Sequence, residues 1–218
     1  MTREEVRTRI VEIGIIPAIR VSSAEDALFA AQAVCTGGIP IVEVTMTVPG
    51  AIDVISHLVG NGLKMIVGAG TVMDTETARR CLDAGAGFLT TTGLDLEVVD
   101  LAAKANVVVV PGALTPTEVI TAWKAGADFV KVFPSSQMGE SYIRALKAPL
   151  PHVPLIATGG VNQENAAGFI LAGAAAVGIG AHLIPPKAIE LRQPDWIHEL
   201  AHRFIRIVKD ARSQMTKP

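Results

Sequence analysis

The sequence has few of the features that mark membrane, secreted or nucleic-acid-binding proteins. No apolar run approaches the roughly 18 continuous residues that a membrane helix needs, and the start, MTREEVRTRIVEIG, is charged and helix-periodic, unlike a signal peptide. The formal net charge is only −2, and no long basic run is present. These absences predict a cytoplasmic protein that binds neither membrane nor nucleic acid.

Cysteine and clustered histidine are also scarce, which argues against disulfide and metal chemistry. Cys35 and Cys81 fall in helix-like segments without metal-ligand spacing, so we expect reduced thiols. His198 and His202 have a metal-compatible i,i+4 spacing, but no third ligand is evident. We therefore expect no metal and no cofactor. His182 lies near a glycine-rich turn described below, and it is a weaker candidate for ligand contact.

Short hydrophobic runs, by contrast, are abundant and evenly distributed. Half of the residues are hydrophobic but only 4% are aromatic. An apolar run, a polar or glycine-rich turn and an amphipathic segment repeat along the chain, and small residues such as Gly close the helical segments. The apolar runs are IIPAIR, PIVEVT, KMIVGAG, GFLTT, NVVVVPG, DFVKVF, PLIAT and AAVGIG. Eight strands alternating with helices predict a (β/α)8 (TIM) barrel as one domain, residues 1–218, and a doubly wound open sheet is the alternative.

Helix start signals add detail to this architecture. Thr2 with Glu5, and Ser23 with Asp26, have the spacing of capping boxes. The first predicted helix, about residues 2–13, precedes the first strand and should cover the bottom of the barrel. The last predicted helix spans about residues 195–212.

Three ionisable residues are predicted to point into the barrel. Side chains alternate faces along a strand, so Lys131 in FVKVF lies opposite its two valines, and Glu43 lies opposite the valines of IVEVT. The same alternation directs Arg20 inward after the first run. A buried salt-bridge network that fixes strand register is one interpretation. Buried ion pairs are seldom net stabilising, however, and barrel active sites lie at the carboxyl ends of the strands, which favours a functional role.

An amine and a carboxylate in an apolar barrel define a specific chemistry. Burial disfavours the charged form of Lys131, and a neutral amine adds to a carbonyl carbon to give a Schiff base. The iminium then withdraws electrons from the adjacent carbon–carbon bond, and Glu43 is placed to move protons as a general acid/base. This pairing predicts a class I aldolase. A phosphosugar isomerase or epimerase, with Glu43 as base, and a non-catalytic phosphosugar-binding barrel are the alternatives.

Two glycine-rich turns follow the seventh and eighth runs. They read ATGGV, which contains Thr158, Gly159 and Gly160, and GIGAHL, which contains Gly180 and Ala181. In barrels the corresponding loops commonly bind phosphate through backbone N–H groups. Thr71, in GAGTVMD, is a further candidate for ligand contact, and Ser135 and Ser136 are candidate loop donors.

In combination, VEVTM, VGAGTV, AGADFVKVFP, ATGGV and GIGAHL resemble the 2-keto-3-deoxy-6-phosphogluconate (KDPG)/4-hydroxy-2-oxoglutarate (KHG) aldolases, from about residue 16 to residue 183. The resemblance implies a lyase that needs no metal and assembles as a homotrimer. It implies Lys131 as the Schiff-base residue and Glu43 as the acid/base. The implied binding residues are Arg20 for a substrate anion, Thr71, Phe133 and Thr158 for the substrate, and Gly159, Gly160 and Gly180 for phosphate.

The sequence departs from the KDPG-type pattern at three places. Thr47 stands where those enzymes carry an arginine, Thr91-Thr92-Gly93 replaces an SPG motif, and Ala181 replaces a serine, so that one phosphate contact would come from the backbone only. We keep Thr47 and Thr92 as candidate substrate contacts. The segment VFPSSQMGESYIRALKAPLP is similar to the branch that acts on 2-keto-3-deoxy-6-phosphogalactonate. The expected reaction is cleavage of either phosphorylated epimer to pyruvate and glyceraldehyde 3-phosphate, with an unphosphorylated 2-keto acid as the alternative substrate.

Overall fold

Parallel strands and helices alternate throughout the computed structural model, which describes residues 1–62 and 64–215. Within these residues the strands are β1 Ile15–Ile19, β2 Ile41–Thr45, β3 Ile66–Gly70, β4 Phe88–Thr90, β5 Val108–Val110, β6 Gly112–Ala113, β7 Val130–Val132, β8 Leu155–Thr158 and β9 Ala176–Ile179. The helices are α1 Arg3–Ile13, α2 Ala24–Thr36, α3 Ala51–Gly60, α4 Thr75–Asp83, α5 Leu96–Lys104, α6 Pro116–Lys124, α7 Ser135–Lys147, α8 Ala166–Leu171, α9 Pro186–Glu190 and α10 Pro194–Met215.

The barrel closes through a strand that a proline interrupts. In the described chain the sheet order is β5-β4-β3-β2-β1-β9-β8-β7-β6, all parallel, and only Pro111 separates β5 from β6. Pro111 has no N–H to donate, but its carbonyl accepts the backbone N–H of Lys131 at 2.9 Å. One interrupted strand thus joins both of its neighbours. With β5 and β6 counted as one interrupted strand, the eight predicted runs form the eight strands of a TIM-like barrel. The predicted barrel is therefore confirmed, and the alternative of a doubly wound open sheet is not.

The alternation of faces holds in the strands that matter for function. Val42 and Val44 of β2 are fully buried beneath the helical layer. Phe88 of β4 fills the interior next to Gly68 of β3, where an added Cβ would lie 2.2 Å from the ring. Gly68 therefore provides the space for one of the few aromatic rings of the core.

The amino-terminal helix α1 packs under the barrel, as predicted. The Thr2–Glu5 capping box is present, with Glu5 N–H donating to Thr2 Oγ1 at 3.2 Å and Thr2 N–H donating to Glu5 at 2.7 Å. The bond from the Thr2 N–H to the Glu5 carboxylate, with a smaller contribution from the Thr2 hydroxyl, holds the pKa of Glu5 below its ordinary value. Arg3 then reaches Asp128, which lies just before β7, so the helix is fixed to the amino ends of the strands.

Two details of the sequence prediction were wrong. Ser23 accepts the Asp26 N–H at 3.1 Å, but the reciprocal half of a capping box is absent because the Asp26 carboxylate pairs with Arg192 at 2.8 Å. The short helix α9 was not predicted, whereas the predicted last helix is present as α10, which runs from Pro194 to Met215. None of the helices in the two described ranges is both long enough and apolar enough to cross a membrane.

Candidate active site

Lys131 and Glu43 occupy the centres of β7 and β2, and both are buried, with 6% of each residue exposed. Strand register defines their direction. Glu43 lies beside Ala18, and Lys131 lies beside Ile156, two residues before Thr158 on the same face. Because Ala18 and Thr158 both line a cavity at the mouth, the two charged side chains share the interior face, as the alternation predicts.

Neither charged group is neutralised by an internal partner. Among the ion pairs of the described residues, none involves Lys131 or Glu43. The Lys131 amine lies 5.5 Å from the centroid of the Phe133 ring, within the range of a cation–π contact. The Glu43 carboxylate lies over the backbone of Gly70, where an added Cβ would be only 2.0 Å from Oε1. A salt-bridge network that merely fixes register is therefore not what these two residues form.

A cavity of about 360 Å³ opens at the carboxyl ends of the strands. It brings together the predicted site residues on β1, β7, β8 and β9 and on the turns that follow these strands. These lining residues are Arg20, Phe133, Thr158, Gly159, Gly160, Gly180 and Ala181. His182 also lines it. The two glycine-rich turns and the candidate anion-binding arginine therefore meet in one space.

Arg20 is the exception among the three predicted inward charges. It follows the last residue of β1 and is exposed, although it lines the cavity. Arg20 faces the cavity at the barrel mouth rather than the barrel interior, because β1 ends at Ile19, and its guanidinium remains hydrated there. Arg20 also lines a second cavity of about 560 Å³, together with Thr47, Asp26 and Ala181.

The threonines at the mouth fall into different environments. Thr71 follows β3 in a left-handed conformation, with φ of 58°, which is a strained outlier for a β-branched residue. Thr47 is exposed at the rim, and its hydroxyl lies 2.7 Å from that of buried Thr45. Thr92 is half-buried after β4, and neither Thr71 nor Thr92 is among the residues that line the two mouth cavities.

Glycines of the seventh-run turn allow close packing as well as ligand access. Gly159 and Gly160 have φ of +91° and +72°, values that favour glycine. A Cβ on Gly159 would lie 2.9 Å from the Phe133 ring, and one on Gly160 would lie 2.1 Å from Ser136 Oγ. The turn is therefore held tightly against the residues that follow β7.

Two hydroxyl groups have roles that the sequence patterns did not assign. Ser135, predicted as a loop donor, instead donates its hydroxyl to the Val132 carbonyl at 2.7 Å and accepts the Thr158 N–H at 3.1 Å. It thereby fixes the tops of β7 and β8. Thr90 of β4 is buried in the barrel with its hydroxyl unpaired. The sequence could show only that Thr90 lies two residues after Phe88, on the same face of GFLTT.

Metal-binding and thiol chemistry find no support here. In the described ranges, no cluster of three or more His, Cys, Asp or Glu side chains could hold a metal ion. The His198 ring lies 2.9 Å from Thr36 Oγ1. Both cysteines are free, as expected, and burial raises the pKa of the Cys81 thiol to about 11.

Comparison with known proteins gives a consistent family. The KDPG and KHG aldolase family model matches residues 6–200. The chain is 37% identical over 174 residues to a 2-dehydro-3-deoxy-6-phosphogalactonate aldolase of Escherichia coli, covering 79% of this chain and 85% of that protein. It is 28% identical to a 2-dehydro-3-deoxy-phosphogluconate aldolase of Haemophilus influenzae, covering 95% and 99% of the two chains.

Solved structures agree. A structure described as native KDPGal is similar with a TM-score of 0.84 at 32% identity, covering 91% of this chain and 96% of that one. KDPG aldolase from Legionella pneumophila, with pyruvate captured as a covalent carbinolamine intermediate, has a TM-score of 0.83 at 29% identity and coverages of 89% and 95%. The family match over most of the chain, together with a buried lysine and glutamate on one barrel face, establishes that this protein is a class I aldolase belonging to the KDPG and KHG aldolase family.

Proposed function

We propose that the protein cleaves a 2-keto-3-deoxy-6-phospho sugar acid to pyruvate and glyceraldehyde 3-phosphate, with Lys131 as the Schiff-base residue and Glu43 as the general acid/base. One observation carries this proposal: both groups are buried on the same interior face without an ion pair, beneath a cavity lined by two glycine-rich turns. A buried charged pair with no structural partner is costly to fold, so its retention points to chemistry.

The first half of the reaction makes the electron sink. The Lys131 amine attacks the C2 carbonyl, and the resulting carbinolamine loses its hydroxyl group as water after Glu43 donates a proton to it. The product is a protonated iminium between C2 and the lysine nitrogen. Phe133, whose ring centroid lies 5.5 Å from the amine, is placed to stabilise the positive charge of the iminium through its π-electrons.

The second half breaks the carbon–carbon bond. Glu43, now a carboxylate, removes the proton of the C4 hydroxyl, the C3–C4 bond breaks, and its electrons move to the iminium to give an enamine. The aldehyde product departs. Protonation of the enamine at C3 gives the pyruvate iminium, and hydrolysis releases pyruvate and restores the free amine. A single carboxylate can serve each step because it alternates between its two protonation states.

The remaining cavity residues suit the charged ends of the substrate. Gly159, Gly160, Gly180 and Ala181 are proposed to hold phosphate through backbone N–H groups, since glycines, two of them (Gly159 and Gly160) at positive φ, allow close approach of the main chain to oxygen atoms. Arg20, exposed at the same cavity, supplies the positive charge. Thr158 and Thr71 are proposed as hydroxyl contacts, with Thr47 and Thr92 further out at the rim.

The test of the mechanism is covalent capture. Incubation with pyruvate and borohydride should reduce the iminium and leave a stable adduct on Lys131, located by peptide mass spectrometry. Lys131→Met should form no adduct. Lys131→Arg keeps the charge without the nucleophile, so it should also be inactive. Measurable turnover by either variant, or a wild-type protein that gives no adduct, would rule out the Schiff-base mechanism.

For the C4 configuration, we propose a preference for the galactonate epimer. This rests on the 37% identity to the phosphogalactonate enzyme, against 28% for the phosphogluconate enzyme, and on Thr47, where KDPG-type members carry arginine. The measurement is a parallel determination of kcat/KM for both phosphorylated epimers and for 4-hydroxy-2-oxoglutarate. A higher kcat/KM for the gluconate epimer, or for the unphosphorylated acid, would overturn the assignment.

The family resemblance also leads us to propose a homotrimer. Light scattering coupled to size-exclusion chromatography measures the assembly mass directly, and a mass of one or two chains would contradict the proposal.

A further inference from the structure

The hydroxyl of Thr90 is the one polar side-chain atom in the described residues that is both fully buried and without a hydrogen-bond partner. Such a group loses its hydration without compensation, which costs on the order of 1–3 kcal/mol. Valine has the same shape and would avoid that cost, and this chain uses valine at all three positions of the adjacent β5, Val108, Val109 and Val110. An unsatisfied buried hydroxyl in a native fold requires an explanation.

Strand register places this hydroxyl in the barrel interior. Thr90 is two residues after Phe88, so both side chains leave the same face of β4. The Phe88 ring lies where a Cβ on Gly68 would be, and Gly68 is the register partner of Glu43. Thr90 therefore shares the face on which Glu43 lies.

The same register places Thr90 beside the Glu43 carboxylate. Gly68 pairs with Phe88 and Ala69 pairs with Leu89, so Gly70 continues the register opposite Thr90. Glu43 Oε1 lies 2.0 Å from the position that a Cβ on Gly70 would occupy. Neighbouring strands are about 4.8 Å apart, so the hydroxyl and the carboxylate are separated by roughly one strand spacing across a glycine. That separation exceeds a direct hydrogen bond and fits one bridging oxygen atom.

We propose that Thr90 is a positioning residue for the proton transfers of Glu43. Its hydroxyl donates a hydrogen bond to a water molecule, and that water donates to the Glu43 carboxylate. The water is the one released when the carbinolamine hydroxyl takes a proton from Glu43 and leaves, and it is the one added back when the pyruvate iminium is hydrolysed. Holding it beside Glu43 keeps the carboxylate oriented toward the reacting carbon atoms. This inference rests on the proposed Schiff-base function and names a third residue for it.

Two measurements separate this role from packing. The first is deuterium exchange into the methyl group of pyruvate, followed by NMR in D2O, which requires proton transfer at C3 after the iminium has formed. The second is the amount of pyruvate adduct trapped on Lys131 by borohydride at equilibrium, which reports how much iminium has formed and does not depend on proton transfer at C3. The exchange rate divided by the trapped fraction isolates proton transfer from binding and from loss of folded protein.

The variants are Thr90→Val, Thr90→Ser and a matched control, Thr91→Val. The Thr91 hydroxyl is also buried, but it donates to the Gly93 carbonyl and accepts the Gly112 N–H at 3.0 Å, so it has a structural role. We expect Thr90→Val to lower the exchange-to-trapping ratio about tenfold, which corresponds to the loss of one hydrogen bond of about 1.4 kcal/mol. Thr90→Ser should restore the ratio to within about threefold of wild type. Thr91→Val should lower the melting temperature and leave the ratio unchanged.

The outcomes distinguish the two levels of the proposal. An unchanged ratio in Thr90→Val, or an equal fall in Thr90→Ser, would overturn the role of Thr90 while leaving the aldolase mechanism in place. A wild-type protein that forms no adduct with pyruvate would overturn the Schiff-base mechanism and this inference with it.

Discussion

The two ends of the barrel differ in whether a buried ionisable side chain has an ion-pair partner. The contrast appears between Asp128 and Lys131, which are three residues apart in one segment. Asp128, at the amino end of β7, is 8% exposed and accepts two bonds from Arg3 Nε, at 2.9 and 3.2 Å, and one from Nη2 at 2.9 Å. It also accepts the Val109 N–H at 2.9 Å. Lys131, further along the same segment and similarly buried, has no ion-pair partner among the described residues, and its amine lies 5.5 Å from the centroid of the Phe133 ring.

Backbone strain follows the same division. Thr71 at the mouth has φ of 58° and Asn106 at the bottom has φ of 55°. Asparagine adopts this conformation readily, whereas it is strained for a β-branched threonine. At these two positions, the bottom of the barrel has a residue that readily adopts a left-handed backbone conformation, and the mouth has a residue for which that conformation is strained. The difference indicates that the bottom is built for stability and the mouth for chemistry.

The largest expected effect comes from removing the unpaired charge at the mouth. Lys131→Met should lower kcat at least about 10⁴-fold, because it removes the amine that is proposed to form the Schiff base. Its unfolding free energy should stay equal to that of the wild type or rise, since an apolar side chain replaces an unpaired buried charge. Steady-state kinetics and urea unfolding measure the two quantities. A marked loss of stability would mean that the lysine has a structural role.

Asp128→Ala is expected to show the opposite result. It should lower the unfolding free energy by about 3–5 kcal/mol, because Arg3 loses its partner and the Val109 N–H is left unsatisfied. The kcat of the folded fraction should stay within a few-fold of wild type. Glu12→Ala is the matched control, since it breaks an exposed pair with Arg9 at 2.7 Å and should cost less than about 1 kcal/mol. Equal losses in the two variants would contradict the proposed difference between the ends.

A pair of glycine substitutions tests the strain itself. Thr71→Gly removes the left-handed strain but adds backbone entropy in the unfolded state, so stability should change by no more than about 1 kcal/mol in either direction. We expect KM to rise about tenfold, because a substrate hydroxyl contact is lost. Asn106→Gly, the equivalent change at the bottom, should leave both KM and kcat unaltered. A normal KM in Thr71→Gly would remove Thr71 from the binding site.

The smallest expected effect concerns a carboxylate at the mouth that does have hydrogen-bond partners. It tests whether unpaired charged groups are confined to the cavity or are found across the whole mouth. Glu118, in the first turn of α6 just above β6, accepts bonds from the backbone N–H groups of Leu114 and Thr115 and from the Thr115 hydroxyl. These bonds, led by that of Leu114, hold the pKa of Glu118 below its ordinary value. A lowered folded-state pKa contributes stability above the unfolded pKa, and this contribution is lost as the pH falls through the folded value.

Glu118→Gln should therefore lower the unfolding free energy by about 0.3–1 kcal/mol at pH 7, and the deficit should vanish in acid. Glu97→Gln, in the first turn of α5 outside any capping box, is the control and should show a smaller, less pH-dependent change. Denaturant titrations at neutral and acidic pH measure both. A deficit that persists in acid would mean that the carboxylate charge is not the stabilising feature.

Much of the fold could be predicted because its signals are local. Each apolar run had the length and β-branched composition of a strand, and the alternation in FVKVF and IVEVT placed Lys131 and Glu43 on the interior face before any contact was known. The Thr2–Glu5 capping box is a contact across three residues and was equally readable. Asp26 illustrates the limit of such local signals. Its carboxylate pairs with Arg192, far along the chain, instead of forming the capping box that its spacing from Ser23 suggested.

The parts that could not be predicted depend on height along the barrel and on contacts between distant strands. Alternation gives a side chain's face but not the residue at which a strand ends, so it could not show that Arg20 lies beyond the end of β1 and is exposed. Thr90 was overlooked because a threonine in a strand carries no functional signal until the register places it across Gly70 from Glu43.

By itself, the sequence determined the eight-fold alternation, the interior faces of the strands and the pairing of an amine with a carboxylate, because side-chain periodicity and turn chemistry act over a few residues. Only the tertiary structure decided which charges are compensated and which are left free. Asp128 and Lys131 are three residues apart and both buried, yet Asp128 pairs with Arg3 from α1, whereas Lys131 lies near the Phe133 ring and has no ion pair among the residues that the structure describes. Closure of the barrel sets those partners, because it brings together strands that lie far apart in the chain.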